Sequence, residues 1–407
     1  MHVLLVEPAF PKNQREFARA LHAVGARVTG IGERPLEALD PELKSWLHGY
    51  EQISTIADEG ALLEAVKRVQ SREWVDRLEA TVEAHIMATA HVREATDIPG
   101  ISSRTSFLCR DKPAMKEALR EAGVACAQST GASTPEEVRA FAKEIGYPVI
   151  LKPRDAAGAA GIYRADDDAG LELAIEDSGV NQGAKVAVEE FIEGHEGFYD
   201  TLCLEGQVVH DFASHYYPGV LEAMRTRWVS PQIVTTNRID VDETYAEVKE
   251  MGAKVIQALG IGTSATHMEW FFGPKGLKFS EIGCRPPGVL VWDLYSEAND
   301  LDLYVEWAKL IVHGKTDAQA SRRFSAGMIA LRPDRDGHVV RIDGLEEVHR
   351  RYGSNLIDEH IPGPGSATQP IEGGYMANAW MRLKHPDYDG LREVMDRIGE
   401  DVQVKAR

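Results

Sequence analysis

The stretch Thr266–Gly288, THMEWFFGPKGLKFSEIGCRPPG, constrains the fold more than any other part of the chain. Two runs, Thr266–Gly273 and Leu277–Gly283, flank Pro274-Lys275-Gly276 and read as the strands of a hairpin. A three-residue loop with glycine at its left-handed position suits that link. Such a loop pairs residue 273 with 277, and therefore Glu269 with Glu281. Opposed side chains share a face with Cβ atoms about 4.5–5.5 Å apart, and like charges placed so are destabilising unless neutralised. A divalent cation neutralises them, and Mg²⁺ suits one or two carboxylates whose remaining positions go to water and substrate phosphates. The competing reading is a solvated sheet edge, or one carboxyl that takes up a proton. Phe271, Phe272, Leu277 and Phe279 make the hairpin too apolar for a freely solvated face. Arg285, four residues after Glu281, adds the cation that a transferring phosphate needs.

The 407 residues are enough for two or three domains with a sizeable core. An apolar content of 43% with 27% charged residues is that of a globular chain. The net charge of −19 disfavours nonspecific binding to nucleic acid or an anionic membrane, which both need a basic footprint. No segment approaches the roughly 18 apolar residues of a membrane span. The opening MHVLLVEPAF reads as a first strand rather than a signal peptide. The cysteines Cys109, Cys126, Cys203 and Cys284 are widely spaced and form no CxxC pair, so reduced thiols and a cytoplasmic location are expected.

His2–Val6, Asn13–Gly25 and Arg27–Ile31 read as strand, helix and strand, the start of a parallel sheet with a right-handed crossover. Gly30 and Gly32 look like part of a dinucleotide fingerprint. They follow the second strand, however, and Pro35 stands where a third glycine is needed. Leu62–Val69 and Val82–Ala95 are further helical stretches, and Asp97–Gly100 marks a boundary. Asp111 caps a helix with Pro113 in its first turn and Gly123 after its end. Thr134 and Glu137 form a capping box with Pro135 at the first helical position. Tyr147–Pro153 is a buried strand carrying Lys152 near its end. Arg154–Arg164, RDAAGAAGIYR, is a small-residue loop in which Gly158 and Gly161 let the backbone approach a ligand. Simple hairpin turns share that composition, and no Walker-type Gly-Lys-Ser/Thr follows. Val186–Ile192 is a strand, and Leu202–Phe212 alternates as antiparallel strands do. Met224–Thr236 reads as a polar loop. Its Arg225 and Arg227 are either bidentate binders of a substrate carboxylate or solvated surface charges. Tyr245–Leu259 and Asp300–Val312 read as helices. From Ser321 onward, strands at Ala326–Arg332 and Tyr375–Leu383, a helix near Leu391–Ile398 and a last strand describe a small α+β domain.

Four features occur in order: Asp111-Lys112 opening a helix, Leu151-Lys152-Pro153 before a small-residue loop, Glu189–Gly194 on a strand, and a hairpin with two glutamates ending in Glu-Ile-Gly-Cys-Arg. The ordered set resembles the ATP-grasp superfamily over about residues 1–320 and, more loosely, the tail. The resemblance implies an α/β and α+β architecture. Residues 1–100 would be a Rossmann-like pre-ATP-grasp domain, 101–320 the ATP-grasp domain with a lid near 125–190, and 321–407 a small C-terminal α+β domain. It also implies roles. Lys112 and Lys152 match the lysines that hold the ATP phosphates. Asp155–Gly161, with Gly158 and Gly161, matches the loop that closes over them. Glu189, Glu190, Phe191 and Ile192 match the hinge that reads adenine, mostly through its backbone. Glu196 falls where the ribose-binding acid lies. Glu269 and Glu281 match the ligands of one or two Mg²⁺ ions, for which Mn²⁺ can substitute. Arg285 matches the arginine that steadies the γ-phosphate and the acyl phosphate, and His267, on the face of Glu269, touches substrate. One departure stands out. The family usually has Glu-x-Asn after the second strand, whereas this chain has Gly283, which leaves a second metal ion to water.

The function implied is ATP-dependent joining of a carboxylate to an amine through an acyl phosphate, with release of ADP and phosphate. Chain size and the stretch Gly337–Leu345 resemble the L-amino acid ligase group. The partners expected are a small-molecule carboxylate such as an amino acid, a small-molecule amine and a second copy in a homodimer. A biotin-carboxylase-like or purine-pathway enzyme of the same superfamily is the first alternative, although no Met-Lys-Met biotinyl motif occurs. A noncatalytic nucleotide-binding regulator is the second, suggested by Gly283. His85 and His91 are off any common helical face, so no zinc pair is expected there.

Overall fold

The computed structural model describes residues 1–154 and 161–407. Three sheets position everything else. The first is parallel, in the order Gly49–Gln52, Arg27–Gly32, His2–Val6, Arg77–Glu79. His2–Val6 is buried throughout, as expected of a central parallel strand covered on both faces. The helix Arg15–Ala23 makes the crossover to Arg27–Gly32, so the strand–helix–strand reading holds. Past the end of Arg77–Glu79, the short turn Glu83–His85 leads into the helix Ile86–Ala95.

The second sheet is antiparallel and built from Ser129–Ala132, Val186–Glu190, Val149–Pro153 and Tyr163–Ala165, in that spatial order. The helix Pro135–Ile145 covers it with Val138 and Ala142 and starts at the expected capping box of Thr134 and Glu137.

The third sheet has eight antiparallel strands. It runs Gly276–Gly283, Ser264–Gly273, His195–Leu204, Gln207–Tyr217, Gln232–Thr235, Ser325–Leu331, Ala379–His385 and Leu356–His360. Strands from beyond residue 321 therefore continue the sheet that carries the glutamate hairpin. The link is Gln232–Thr235, which sequence reading places in a polar loop. It is a fully buried strand paired on both sides, with Gln207–Tyr217 and with Ser325–Leu331. Four residues are too few to display alternation, and the pairing comes from chain far away in sequence. The helix Val291–Asn299 was likewise unanticipated. It begins directly after Pro286-Pro287-Gly288 and two left-handed residues, Val289 and Leu290, which read locally as loop.

The hairpin differs from expectation in its turn but not in its outcome. Gly273 pairs with Gly276, one residue tighter than a three-residue loop allows. A bulge between Glu269 and Trp270 then skips Ser280, and Glu269 faces Glu281 as the sequence predicts. Gly276 has φ 75°, the left-handed conformation that the tight link requires.

The largest core cluster joins the helix Arg15–Ala23 to helices Val291–Asn299 and Leu303–His313. Phe17, 1% exposed, sits against Trp292, Tyr304 and Trp307 with ring centroids 5.0–5.4 Å apart. Among the described residues, no helix is long and apolar enough to cross a membrane. Truncating Phe17 removes the ring that ties the first sheet's helix to the rest. Phe17→Ala is expected to cost about 3–5 kcal/mol, read as a lower midpoint in urea unfolding with the m-value unchanged.

Candidate active site

A cavity of about 320 Å³ lies between the second and third sheets. Strand alternation decides which side chains enter it. From Val149–Pro153 come Ile150 and Lys152, from the end of Val186–Glu190 Glu189, and from the hinge that follows Phe191 and Ile192. His195–Leu204 contributes Glu196, and the hairpin contributes Glu269, Phe271 and Glu281. Lys112, at the start of the helix Lys112–Glu121, closes one end. Asp111 caps that helix through the Ala114 N–H and holds Arg154 with both carboxylate oxygens.

The charges are ordered in pairs. Lys112 Nζ lies 3.4 Å from Glu281 Oε2. Lys152 Nζ donates to Glu189 Oε2 at 2.8 Å, and Lys116 Nζ reaches the same oxygen at 2.7 Å. Burial alone would raise the Glu189 carboxyl, but the two lysines bring it down to about 2. Burial brings Lys116 down to about 8 against the pull of Glu189. Among the described residues, Glu189 Oε1 is buried and finds no hydrogen-bond partner. It is a buried acceptor left over behind the cavity wall.

The hairpin face is more acidic. Glu269 is held below the ordinary carboxylate range: burial opposes this, and the His267 ring overcomes it. His267 Nδ1 donates to Asp200 Oδ1 at 2.7 Å, and its Nε2 lies 3.6 Å from Glu269 Oε1. Burial would lower His267, yet Asp200 raises it to about 9, so the ring is cationic at neutral pH. Asp200 is itself fixed by the Tyr295 hydroxyl at 2.5 Å. Glu196 accepts the Val220 N–H at 2.6 Å, and burial together with the Glu269 charge pushes it up to about 8. Two acidic side chains, Glu269 and Glu281, therefore oppose each other on this face, the condition a divalent cation relieves. Among the described residues, no three His, Cys, Asp or Glu side chains form a metal-binding cluster. The opposed pair Glu269 and Glu281 thus fits an ion that keeps several positions for water and phosphate oxygens.

The remaining expected residues fall as follows. Glu190 points away from the cavity, as the residue next to inward-facing Glu189 on a strand must. It pairs with Lys275 Nζ and accepts the Gln128 N–H. Phe191 lies under the Arg164 guanidinium, 4.2 Å from ring centroid to Cζ. Gly161 has φ 73° and sits where a Cβ would meet Pro153 at 3.1 Å. Gly158 lies outside the described residues. Arg225 is exposed and donates to the Ile162 carbonyl at 3.0 Å, apart from the carboxylate face, and Arg227 is paired with Asp336. Arg285 donates from Nε to Glu83 at 2.9 Å and from Nη1 to the Pro286 carbonyl at 2.9 Å. It faces a second, larger cavity of about 620 Å³ lined by Gln14, Thr81, Glu83, Leu290, Tyr375 and Met376 among others.

Sequence reading missed Lys116, Asp200 and Glu83. Lys116 had a signal: it is four residues after Lys112, on the helix face that Met115 and Leu119 mark as buried. Asp200 and Glu83 had none, since each acts through pairing with a distant strand or loop. Cys109 and Cys284, far apart in sequence, lie with their sulfurs 3.0 Å apart as free thiols.

This arrangement of sheets is the ATP-grasp fold. Residues 111–286 match the family described as carbamoyl-phosphate synthase L chain, ATP binding domain. Among curated relatives, the L-arginine-specific L-amino acid ligase of Bacillus subtilis is 25% identical over 285 residues, covering 68% of this chain and 68% of that protein. The alanine–anticapsin ligase of Bacillus subtilis strain 168 is 26% identical over 52% of this chain and 48% of its own length. An uncharacterised protein of Sinorhizobium fredii is 28% identical over 61% of this chain and 52% of its own. The chain thus spans about half to two thirds of the curated relatives it matches. In fold, the L-amino acid ligase of Bacillus licheniformis superposes with a TM-score of 0.77 at 17% identity, covering 100% of this chain and 98% of that one. The N5-carboxyaminoimidazole ribonucleotide synthetase of Thermotoga maritima gives 0.71 at 16% identity, with 100% and 99% covered.

The raised Glu196 carboxyl has a measurable consequence. A group with a folded value near 8 and an unfolded value near 4.5 weakens the fold as pH rises through that window. Glu196→Gln keeps the oxygen that accepts from Val220 and removes the charge. It is expected to raise Tm of the nucleotide-free, metal-free protein at pH 8.5, by about 1 °C per kcal/mol recovered. The gain should shrink as pH falls to 4.5. An equal gain at both pH values would contradict the assignment.

Proposed function

We propose that the protein is an ATP-dependent ligase that joins a carboxylate to an amine and releases ADP and phosphate. The observation that carries this reading is the opposed pair Glu269 and Glu281 on one face of the hairpin, with Lys112, Lys152 and Arg285 around it. The 320 Å³ cavity takes the nucleotide. Phe191, Ile192 and Phe271 give it an apolar end for the base. Residues 125–190 act as the lid, and Glu196 takes the ribose. Glu269 and Glu281 hold Mg²⁺, or Mn²⁺ in its place, which neutralises the phosphate oxygens when bound.

The chemistry divides into two transfers. A carboxylate oxygen of the first substrate attacks the γ-phosphorus, the bond to ADP breaks, and an acyl phosphate results. The amine of the second substrate attacks the acyl carbon, phosphate leaves, and the amine loses a proton. Phosphoryl transfer spreads charge over the equatorial oxygens and is catalysed mainly by positioning and charge neutralisation. Lys112, Lys152 and Arg285 are preorganised for that, and each such donor is worth about 2.7–4 kcal/mol in comparable sites. His267, a fixed cation beside Glu269, adds to the field at the reacting end. The 620 Å³ cavity is bordered by Arg285 and Glu83, which also line the small space beside Lys112 and Glu281, and it suits the carboxylate substrate. Its lining is largely apolar, with Glu83 and Arg285 as a charged pair at one side. An apolar cavity with a charged edge suits an amino acid, in keeping with the amino acid ligases among the relatives.

Incubation with ATP, Mg²⁺ and pools of amino acids should release ADP and phosphate only when two particular pools are combined. Mass detection then shows a product lighter by water than the sum of its substrates. Glu281→Ala should lower that rate by at least about 10²-fold, the loss seen when one preorganised charge-stabilising group is removed. ATP binding with no ADP above background in any pool would overturn the amino acid ligase reading.

A further inference from the structure

Gly283 is the third residue on the carboxylate face of the hairpin, opposite His267 as Glu281 is opposite Glu269. Its φ lies outside the left-handed region, so conformation does not demand glycine there. Space is close. A Cβ at this position would lie 3.2 Å from Glu83 Oε2, so that carboxylate would have to give by a few tenths of an ångström, and 3.4 Å from Arg285 Cγ, an ordinary contact. The carboxylate in that space comes from another sheet altogether. Glu83 stands on the turn Glu83–His85, beyond the carboxyl end of the parallel edge strand Arg77–Glu79. Loops at that end of an open α/β sheet are where ligand-handling groups collect.

Both oxygens of Glu83 are committed. Oε2 accepts Arg285 Nε at 2.9 Å, and Oε1 accepts Arg110 Nη1 at 3.2 Å. Arg110 also donates to the Glu83 carbonyl, which fixes the turn itself. With Nε held by Glu83 and Nη1 by the Pro286 carbonyl, Nη2 is the part of Arg285 with no hydrogen bond among the described residues. Glu83, Lys112, His267, Glu281, Gly283 and Arg285 all border one small space of about 20 Å³, room for a single water.

We propose that Glu83 is a positioning residue for Arg285: its carboxylate occupies the space that Gly283 leaves and aims the guanidinium at the γ-phosphoryl group. The missing side chain at 283 and the carboxylate entering from 83 are then one feature. A long arginine side chain loses considerable rotamer freedom when it is made to bind, and a carboxylate partner imposes that order before the nucleotide arrives. The proposal rests on the nucleotide reading above.

Calorimetry separates the two. The imido analogue of ATP and ADP are each titrated with Mg²⁺ into wild type, Glu83→Gln, Arg285→Gln, the double variant and Gly283→Ala. Arg285→Gln and Glu83→Gln should each weaken the analogue by about tenfold or more, the range of a charge-assisted hydrogen bond, and leave ADP affinity unchanged. The double variant should be no weaker than Arg285→Gln alone, because one residue acts through the other. Gly283→Ala should follow Glu83→Gln. Multiplicative losses in the double variant, or equal losses of ADP and analogue in Glu83→Gln, overturn the proposal alone. Wild type that binds neither nucleotide overturns the nucleotide reading and this proposal with it.

Discussion

Two carboxylates facing each other across a hairpin repel, and the repulsion grows as water is excluded. Glu269 and Glu281 are in that position, and much around them serves to contain their charge. Lys112 leans on Glu281, while the cationic His267 ring, fixed by Asp200, leans on Glu269. Glu196, in the same cavity, escapes the field by holding its proton. A divalent cation placed between the two carboxylates would relieve the repulsion that remains between them.

The lid side solves a different problem. Lys116, Glu189 and Lys152 form a buried triad in which one oxygen takes both ammonium groups. Burying such ions costs several kcal/mol each unless geometry and hydrogen bonds are good, so removing any one member should be severe. The triad ties the helix Lys112–Glu121 to two strands of the second sheet. It keeps Lys152 charged and in place, since Glu189 and Glu281 outweigh the penalty of burial. A positive cradle and a negative face are thus built on separate sheets and meet across one cavity. That division suits a ligand negative at its phosphates and accompanied by a cation.

Much of this was legible in the sequence, for a stateable reason. Glu269 and Glu281 were placed together because strand pairing has a period of two, and the tighter turn with its compensating bulge reached the same register. The caps at Asp111 and Thr134 were legible because their side-chain bonds are local. Gln232–Thr235 was not, because four residues acquire strand character only from neighbours on both sides. Asp200 and Glu83 were invisible for the same reason: one meets His267 through strand register, the other meets Arg285 from 202 residues away. Gly283 read as a loss, a missing ligand, and the fold shows that its space is filled by Glu83.

The central claim is that the hairpin face holds a cation and, through it, the phosphates of a nucleotide. Its most direct test is a crystal structure with Mn²⁺ and a non-hydrolysable ATP analogue, read by anomalous scattering. The account predicts an anomalous peak between the Glu269 and Glu281 carboxylates, with the γ-phosphate within reach of Lys112 and Arg285. A nucleotide bound with no metal between those carboxylates, or bound away from the cavity between the second and third sheets, would contradict it.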